Sequence, residues 1–276
     1  MRIVILAPNV YSETACAVSA HLAESGCVPV GALTISTLHP RTLARKIGQW
    51  GLGGAARYAF EKLIPLNRHQ SSAQNPYLEP MLQHGGSFLR SLKEVAAHYS
   101  FPLALCQEMN SSQALSRLTK WSPDLIIFTG GNILRRPLLD IPRLGVLNVH
   151  LALLPQIRGM SSPEWSLLEN VPVGITIHFM DAGIDTGPIL KKYEFLQASE
   201  CKSLSDLRHR LIAFGVTKVA EVVAGLDRGQ VSAQPQSDFT KDENQDRQFF
   251  VMHDWLRTKA AESLVHHRTA AGITNG

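Results

Sequence analysis

Runs of consecutive apolar residues alternate along this chain with stretches whose apolar positions recur every three or four residues, the pattern of buried strands separated by amphipathic helices. Arg2 to Ala7 reads as a strand, Glu13 to Ser25 as a helix stopped by Gly26, and Val28 to Ser36 as a second strand. A strand, helix, strand succession at this spacing predicts a right-handed parallel unit. Phe101 to Cys106 and Asp124 to Thr129 are the next strands, joined by a helix that opens near Asn110 and Ser111 and closes at Trp121. The run Leu125-Ile126-Ile127-Phe128 has no polar position, as expected of a strand covered on both faces. A short helix from Arg135 to Leu139 leads to a strand from Gly145 to Leu151, and Ser162-Pro163 opens a helix through Glu169.

Gly174 to Met180 alternates in polarity, and Pro188 to Phe195 returns after a glycine-containing turn, which predicts an antiparallel pair at the far end of the sheet. A long helix follows from Ser203 to Arg228, with Leu204, Leu207, Leu211, Phe214, Val219, Val222 and Val223 as its apolar positions. Beyond Gly229 the chain is polar, with one further helix from Trp255 to His266. One segment breaks the rhythm. His39 to Tyr99 holds a basic amphipathic stretch from Arg41 to Leu63, a polar run from Asn67 to Pro76, and a predicted helix from Met81 to Tyr99. The expected organisation is therefore a domain over 1–230 with a helical insertion at about 39–99, and an extension over 231–276.

The chain has 276 residues, 45% of them apolar, with charges of both signs and a formal net charge of +4. That length suits one large domain with a substantial core. The charge favours an anionic ligand but is too small to indicate nucleic acid as the partner. Cys16, Cys27, Cys106 and Cys201 form no C-x-x-C pair and lack a histidine at metal-ligand spacing, so they read as reduced core thiols. The apolar run at the N-terminus is stopped by Pro8 and Asn9, too short for a signal sequence, and no window approaches the roughly 18 apolar residues of a membrane span. A cytoplasmic protein is expected.

Candidate chemistry concentrates in one apolar stretch. Asn148-Val149-His150 is followed by Leu154-Pro155, by Arg158-Gly159, and later by Asp185 in Gly183-Ile184-Asp185-Thr186-Gly187. A carboxamide donates to oxyanions, an imidazole moves protons, and a carboxylate orients the imidazole or accepts a proton. Taken singly, each has a plain alternative: Asn148 bonding backbone at a strand end, His150 as an interior histidine, Asp185 capping a turn. Their joint occurrence describes a site for carbonyl chemistry.

At these residues the chain resembles the formyltransferases that use 10-formyltetrahydrofolate, strongly from Pro123 to Leu190 and weakly in the first strands. The resemblance implies a Rossmann-like α/β fold, with a mostly parallel twisted sheet and helices on both faces. It implies an enzyme, an N-formyltransferase, with Asn148, His150 and Asp185 as its catalytic groups. Asn148 and a protonated His150 would donate to a tetrahedral oxyanion, and Asp185 would hold the imidazole. No metal enters this scheme. The folate pterin would lie against the backbone of Asn132, Ile133 and Leu134 and of the loop Asp181, Ala182, Gly183 and Ile184, with Ile133, Leu134 and Ile184 flanking the ring. The acceptor side would hold Arg158, Gly159 and Met160, with Thr176 and His178 on the adjoining strand supporting it or ordering water, and His178 reads equally as a polar core residue. Ala152 stands where many such proteins have serine, and no G-x-G-x-x-G is present.

Other readings remain beside these. Arg158 contacts an anionic acceptor or faces solvent, Arg135 and Arg136 attract a glutamate tail or coat a helix, and Trp165 lines a sugar site or packs on its helix. Phe249, Phe250 and Trp255 read as apolar packing of the tail on the main domain. The expected acceptor is a primary amine of a small molecule, either a nucleotide-linked amino sugar or a specialised metabolite. Transfer to tRNA is an alternative disfavoured by the short segment after Gln230, and hydrolysis to formate is one that the same residues would serve. Folate binding without turnover is disfavoured by the intact polar triple. A membrane partner is not expected, and a homodimer is left open.

Overall fold

The computed structural model describes residues 1–36, 75–239 and 247–270. Among these, seven strands form one sheet in the order β10-β9-β7-β6-β1-β2-β5. β1 (Ile3–Ala7) lies between β2 (Gly31–Ile35) and β6 (Leu125–Phe128), and β5 (Leu103–Cys106) and β7 (Gly145–His150) extend the parallel set on either side. β9 (Gly174–Phe179) runs antiparallel to both β7 and β10 (Ile189–Glu194). The expected doubly covered sheet with an antiparallel end is observed.

Alternation of side chains across the sheet assigns each strand residue to one of two cores. Ile3, Ile5, Leu125, Ile127, Leu147 and Ile177 pack with α1 (Glu13–Glu24) and α7 (Leu204–Asp227). Val4, Leu6, Leu33, Ile126 and Val146 face the other way, onto Ala114 and Leu118 of α4 (Ser112–Trp121) and Leu138 of α5 (Arg136–Leu139). Both faces being covered is why the central strands carry no polar alternation. Serine side chains cap the helices: Ser12, Ser111 and Ser203 accept from the backbone N–H groups of Ala15, Ala114 and Asp206. Each such cap contributes about 1 kcal/mol.

Part of the expected helical insertion, 37–74, lies outside the described residues, and with it the basic stretch from Arg41 to Leu63. The helix expected from Met81 to Tyr99 is not one helix. It is a single turn, α2 (Glu79–Leu82), a hairpin of β3 (Gln83–His84) with β4 (Ser87–Phe88), and α3 (Leu92–His98). Gly85 and Gly86 have φ of 54° and 84°, the two left-handed positions a tight hairpin turn requires, and Ser91 then caps a new helix. The pair of glycines outweighs the helical spacing of the apolar residues around it.

The polar tail was expected to hold only a helix, but it also returns to the sheet. Gln234 bridges Ile189 beside β10. β11 (Gln248–Phe249) pairs in parallel with β8 (Arg158–Gly159). α8 (Asp254–Ala270) packs on α6 (Ser162–Leu168), burying Leu264 against Leu167. Of the tail aromatics, Phe249 lies on the Trp165 ring at 4.8 Å, whereas Phe250 and Trp255 are 71% and 64% exposed and do not pack as expected. Their chain is held instead through backbone, with the Trp165 indole donating to the Phe250 carbonyl at 3.0 Å. The four cysteines form no disulfide with one another, and all are buried except Cys27, which is half-buried. No helix of the described residues is long and apolar enough to cross a membrane.

Leu211 of α7, fully buried in the same core as Ile175 of β9, tests the packing beneath the antiparallel strands. Leu211→Ala is expected to destabilise the chain by about 2–5 kcal/mol, seen as a lower urea midpoint at unchanged slope.

Candidate active site

β7 and β9 bring four polar side chains onto one face of the sheet. Asn148 is paired with His178 and His150 with Thr176 across the antiparallel ladder, so residues two apart on each strand share that face. The opposite face of the same strands carries Val149 and Ile175 against α7. Gly215 allows that close approach, since a Cβ there would stand 2.9 Å from Val149 Cγ1. The polar face is thereby backed by a rigid apolar layer.

The segment after β7 closes over this face. Thr176 donates from its hydroxyl to the Ala152 carbonyl (2.7 Å) and accepts from the Leu154 N–H (2.9 Å), just before the cis Leu154-Pro155 bond. That buried hydroxyl thus spends its one donor and one of its two lone pairs within the protein. Thr176 therefore braces the turn beneath the polar face, in keeping with the supporting role expected of it. His150 Nε2 lies 2.7 Å from the Ile157 carbonyl, and since a carbonyl only accepts, this nitrogen carries a proton. Its Nδ1 lies 3.4 Å from Asp185 Oδ2. Both ring nitrogens therefore face acceptors.

His178 has the opposite surroundings. Its Nδ1–H donates to the Phe179 carbonyl (2.8 Å), which leaves Nε2 as the acceptor for Asn148 Nδ2–H at 3.1 Å. Burial, then the nearby His150 charge, pushes its pKa down from 6.5 to about 4, with Asp185 opposing more weakly. The 3.7 Å approach of Asp185 Oδ1 to His178 Nε2 is thus made to a neutral ring and is not an ion pair. Neutral His178 in turn fixes the Asn148 carboxamide, whose second N–H remains for another partner.

Asp185 sits in the left-handed region at φ 54°, and its Oδ2 accepts from the Gly159 N–H at 2.9 Å. Asp181 shapes the same loop by accepting from the Gly183 N–H (3.0 Å) and the Thr186 hydroxyl (2.6 Å). A side chain at Gly183 would collide with the Thr186 hydroxyl, and one at Gly187 with the Phe179 carbonyl. Ala182 and Ile184 are exposed. On the other expected folate segment, Asn132 is exposed and Ile133 is 80% exposed. Leu134 is not available as a ring-flanking side chain, because it is buried against Leu138.

Several neighbours were not expected from the sequence. Asn110 brackets the Ile133 segment, donating to the Ile133 carbonyl and accepting from the Arg135 N–H, both at 2.8 Å. Gln236 donates to the carbonyls of Asp185 and Gly187, and Arg158 binds its oxygen through Nε and Nη2 at 3.1 and 2.7 Å. Arg158 thus spends two donors inside the protein. Met160, beside Gly159, is 59% exposed. Arg135 and Arg136 are exposed on their helix.

The family described as formyl transferase matches residues 90–223, a span that contains Asn148, His150 and Asp185. The chain is 34% identical over 149 residues to a methionyl-tRNA formyltransferase of Pelobacter propionicus, covering 53% of this chain and 46% of that protein. It is 36% identical over 151 residues to one from Pseudomonas paraeruginosa, covering 54% and 48%. The chain therefore spans about half the length of the curated relatives it matches. Its fold is similar to that of glycinamide ribonucleotide transformylase 1 from Symbiobacterium toebii, with a TM-score of 0.53, 18% identity, and coverage of 85% of this chain and 94% of that one. It is also similar to a sugar N-formyltransferase from Shewanella sp FDAARGOS_354, with a TM-score of 0.54, 13% identity, and coverage of 91% and 77%.

The neutral state of His178 makes stability depend on pH. Because the folded-state pKa of His178 lies below its ordinary value, the unfolded chain binds its proton first as pH falls. Stability is expected to drop between pH 6.5 and about 4, and His178→Gln should flatten that decline in a series of urea midpoints against pH.

Proposed function

We propose that this chain, whose residues 90–223 match the formyl transferase family, transfers a formyl group from 10-formyltetrahydrofolate to a primary amine. The observation that carries the reading is the convergence of Asn148, His150 and Asp185, with Asp185 Oδ2 3.4 Å from His150 Nδ1 and Asn148 locked by His178 on the same face. The bound folate would supply an activated formyl carbon. The chain's own groups supply the rest. Asn148 keeps an N–H for an acyl oxygen on which charge develops. His150 holds a proton between the Ile157 carbonyl and Asp185, and the longer, Nδ1 side is the one that can open to a ligand. Asp185 receives the proton an attacking amine sheds, directly or through water, and that proton would pass to the folate nitrogen as its bond to the formyl carbon breaks and tetrahydrofolate leaves.

Features of the two loops fit a flat, partly apolar ring. Ile133 and Ile184 are 80% and 50% exposed, and Gly183 brings bare backbone to the surface. Asn132, Asp181 and Ala182 complete that side. Gly159, whose N–H binds the Asp185 carboxylate, and its neighbours Arg158 and Met160 are taken as the acceptor side. We take the acceptor to be a small molecule, a nucleotide-linked amino sugar or another amine metabolite. The similarity to methionyl-tRNA formyltransferases favours a second reading, an RNA-borne amine.

Incubation with 10-formyltetrahydrofolate and separate panels of amino sugars, amine metabolites and charged initiator tRNA tests these readings by formyl incorporation. Incorporation into tRNA alone would remove the small-molecule acceptor, and formate release at equal rate without any amine would replace transfer by hydrolysis. Asn148→Ala, His150→Ala and Asp185→Asn are each expected to lower kcat by about 100-fold or more while folate Kd stays within several-fold. Near-normal kcat in any of them would remove that residue from the chemistry.

A further inference from the structure

Gln236 lies far from the motif residues in sequence, yet it is buried against them with only 6% of its surface exposed. Its amide orientation is fixed by its neighbours. Nε2 faces two carbonyls, those of Asp185 and Gly187, each at 2.8 Å. Oε1 faces the Arg158 guanidinium. Turning the amide over would set oxygen against two carbonyls and NH2 against a cation, so one orientation alone is satisfied. The two carbonyls it ties flank the left-handed Asp185 and its turn, a conformation that costs a non-glycine residue about 1 kcal/mol or more unless its surroundings hold it.

We infer that Gln236 is a positioning residue: it holds the turn that presents the Asp185 carboxylate to His150, and it couples that turn to Arg158. Arg158 precedes Gly159, whose N–H binds the same carboxylate at 2.9 Å. Both grips on Asp185, through its carboxylate and through its backbone carbonyl, therefore meet in the Arg158-Gly159 segment. Gly159 is packed directly under the Phe249 carbonyl, and Met160 donates to that carbonyl at 3.0 Å. The segments on either side of 240–246 thus contribute to the site from two directions. The functional consequence of this inference rests on Asp185 acting in the proposed transfer. The geometric one does not.

Two variants separate the roles. Gln236→Met keeps the length of the side chain and removes every hydrogen bond; Gln236→Glu keeps an acceptor for Arg158 but has no N–H for the two carbonyls. Both are expected to lower kcat about 10-fold with KM for folate within about threefold, the pattern of a lost transition-state contribution. In the Asp185→Asn background, Gln236→Met should change kcat by less than about twofold, because it acts through the group already removed. An equal loss in both backgrounds would make Gln236 a merely structural residue and overturn the inference. Ring 15N spectra of His150 provide a readout independent of turnover: in both variants its signals should move toward those of Asp185→Asn. Unchanged His150 signals would overturn the inference even if kcat fell. If wild type transfers no formyl group to any acceptor, the proposed reaction fails, and the spectra alone decide the positioning role.

Discussion

The site depends on one carboxylate being kept where the backbone does not readily put it. Asp185 occupies the left-handed region at φ 54°, and its side chain is gripped by the Gly159 N–H at 2.9 Å while facing His150 at 3.4 Å. A hydrogen bond from backbone N–H to a carboxylate is among the stronger kinds, and here it defines direction as well as distance. Without that fixed carboxylate, His150 would keep only the Ile157 carbonyl among these partners, and its second nitrogen would have no reason to carry a proton. Every role assigned to the imidazole follows from this placement.

Two histidines lie close together, with ring centroids 6.5 Å apart, and their surroundings drive them to different uses. His178 is almost fully buried, gives its only proton to a neighbouring carbonyl and accepts from Asn148. Holding it neutral costs little, because both nitrogens are satisfied in that state. His150 instead faces acceptors on both sides, the Ile157 carbonyl and Asp185. A proton on His178 would face the Asn148 amide donor and repel His150, so neutrality of one ring protects the orientation of the carboxamide and the charge on the other.

The sequence made the sheet and the polar triple readable because both are written in local signals. The apolar run Leu125 to Phe128 and the i, i+2 spacing of Asn148 and His150 on a strand determine burial and facing without reference to distant chain. The expected helix over Met81 to Tyr99 failed where a stronger local signal, Gly85-Gly86, competed with periodicity. Leu134 was misjudged because its inward orientation depends on packing against α5. Gln236 and Asn110 left no trace in periodicity or motif: each bonds backbone carbonyls of a segment far off in the chain, and a carboxamide in a polar stretch looks the same whether it meets solvent or a buried turn. The pairing of Gln248-Phe249 with Arg158-Gly159 was hidden for a related reason, since a ladder of two residues is too short to impose alternation.

The antiparallel end of the sheet is what lets so few residues build this arrangement. A parallel strand following β9 would require a crossover of a dozen or more residues before the chain could return to the sheet. β9 instead runs against β7, which places Thr176 opposite His150 and His178 opposite Asn148, and its hairpin to β10 needs only the loop from Met180 to Pro188. That loop is short enough to be shaped from within, by Asp181 holding Gly183 and Thr186, and it bends back so that Asp185 reaches the polar face its own strand helped to create. Strand direction thus fixes three things together: which side chains share a face, how short the returning loop is, and where its carboxylate lands. Changing the sheet's parallel strands would disturb the core, whereas changing the register of β9 by one residue would turn Thr176 and His178 to the α7 side and leave Asn148 without the partner that orients it.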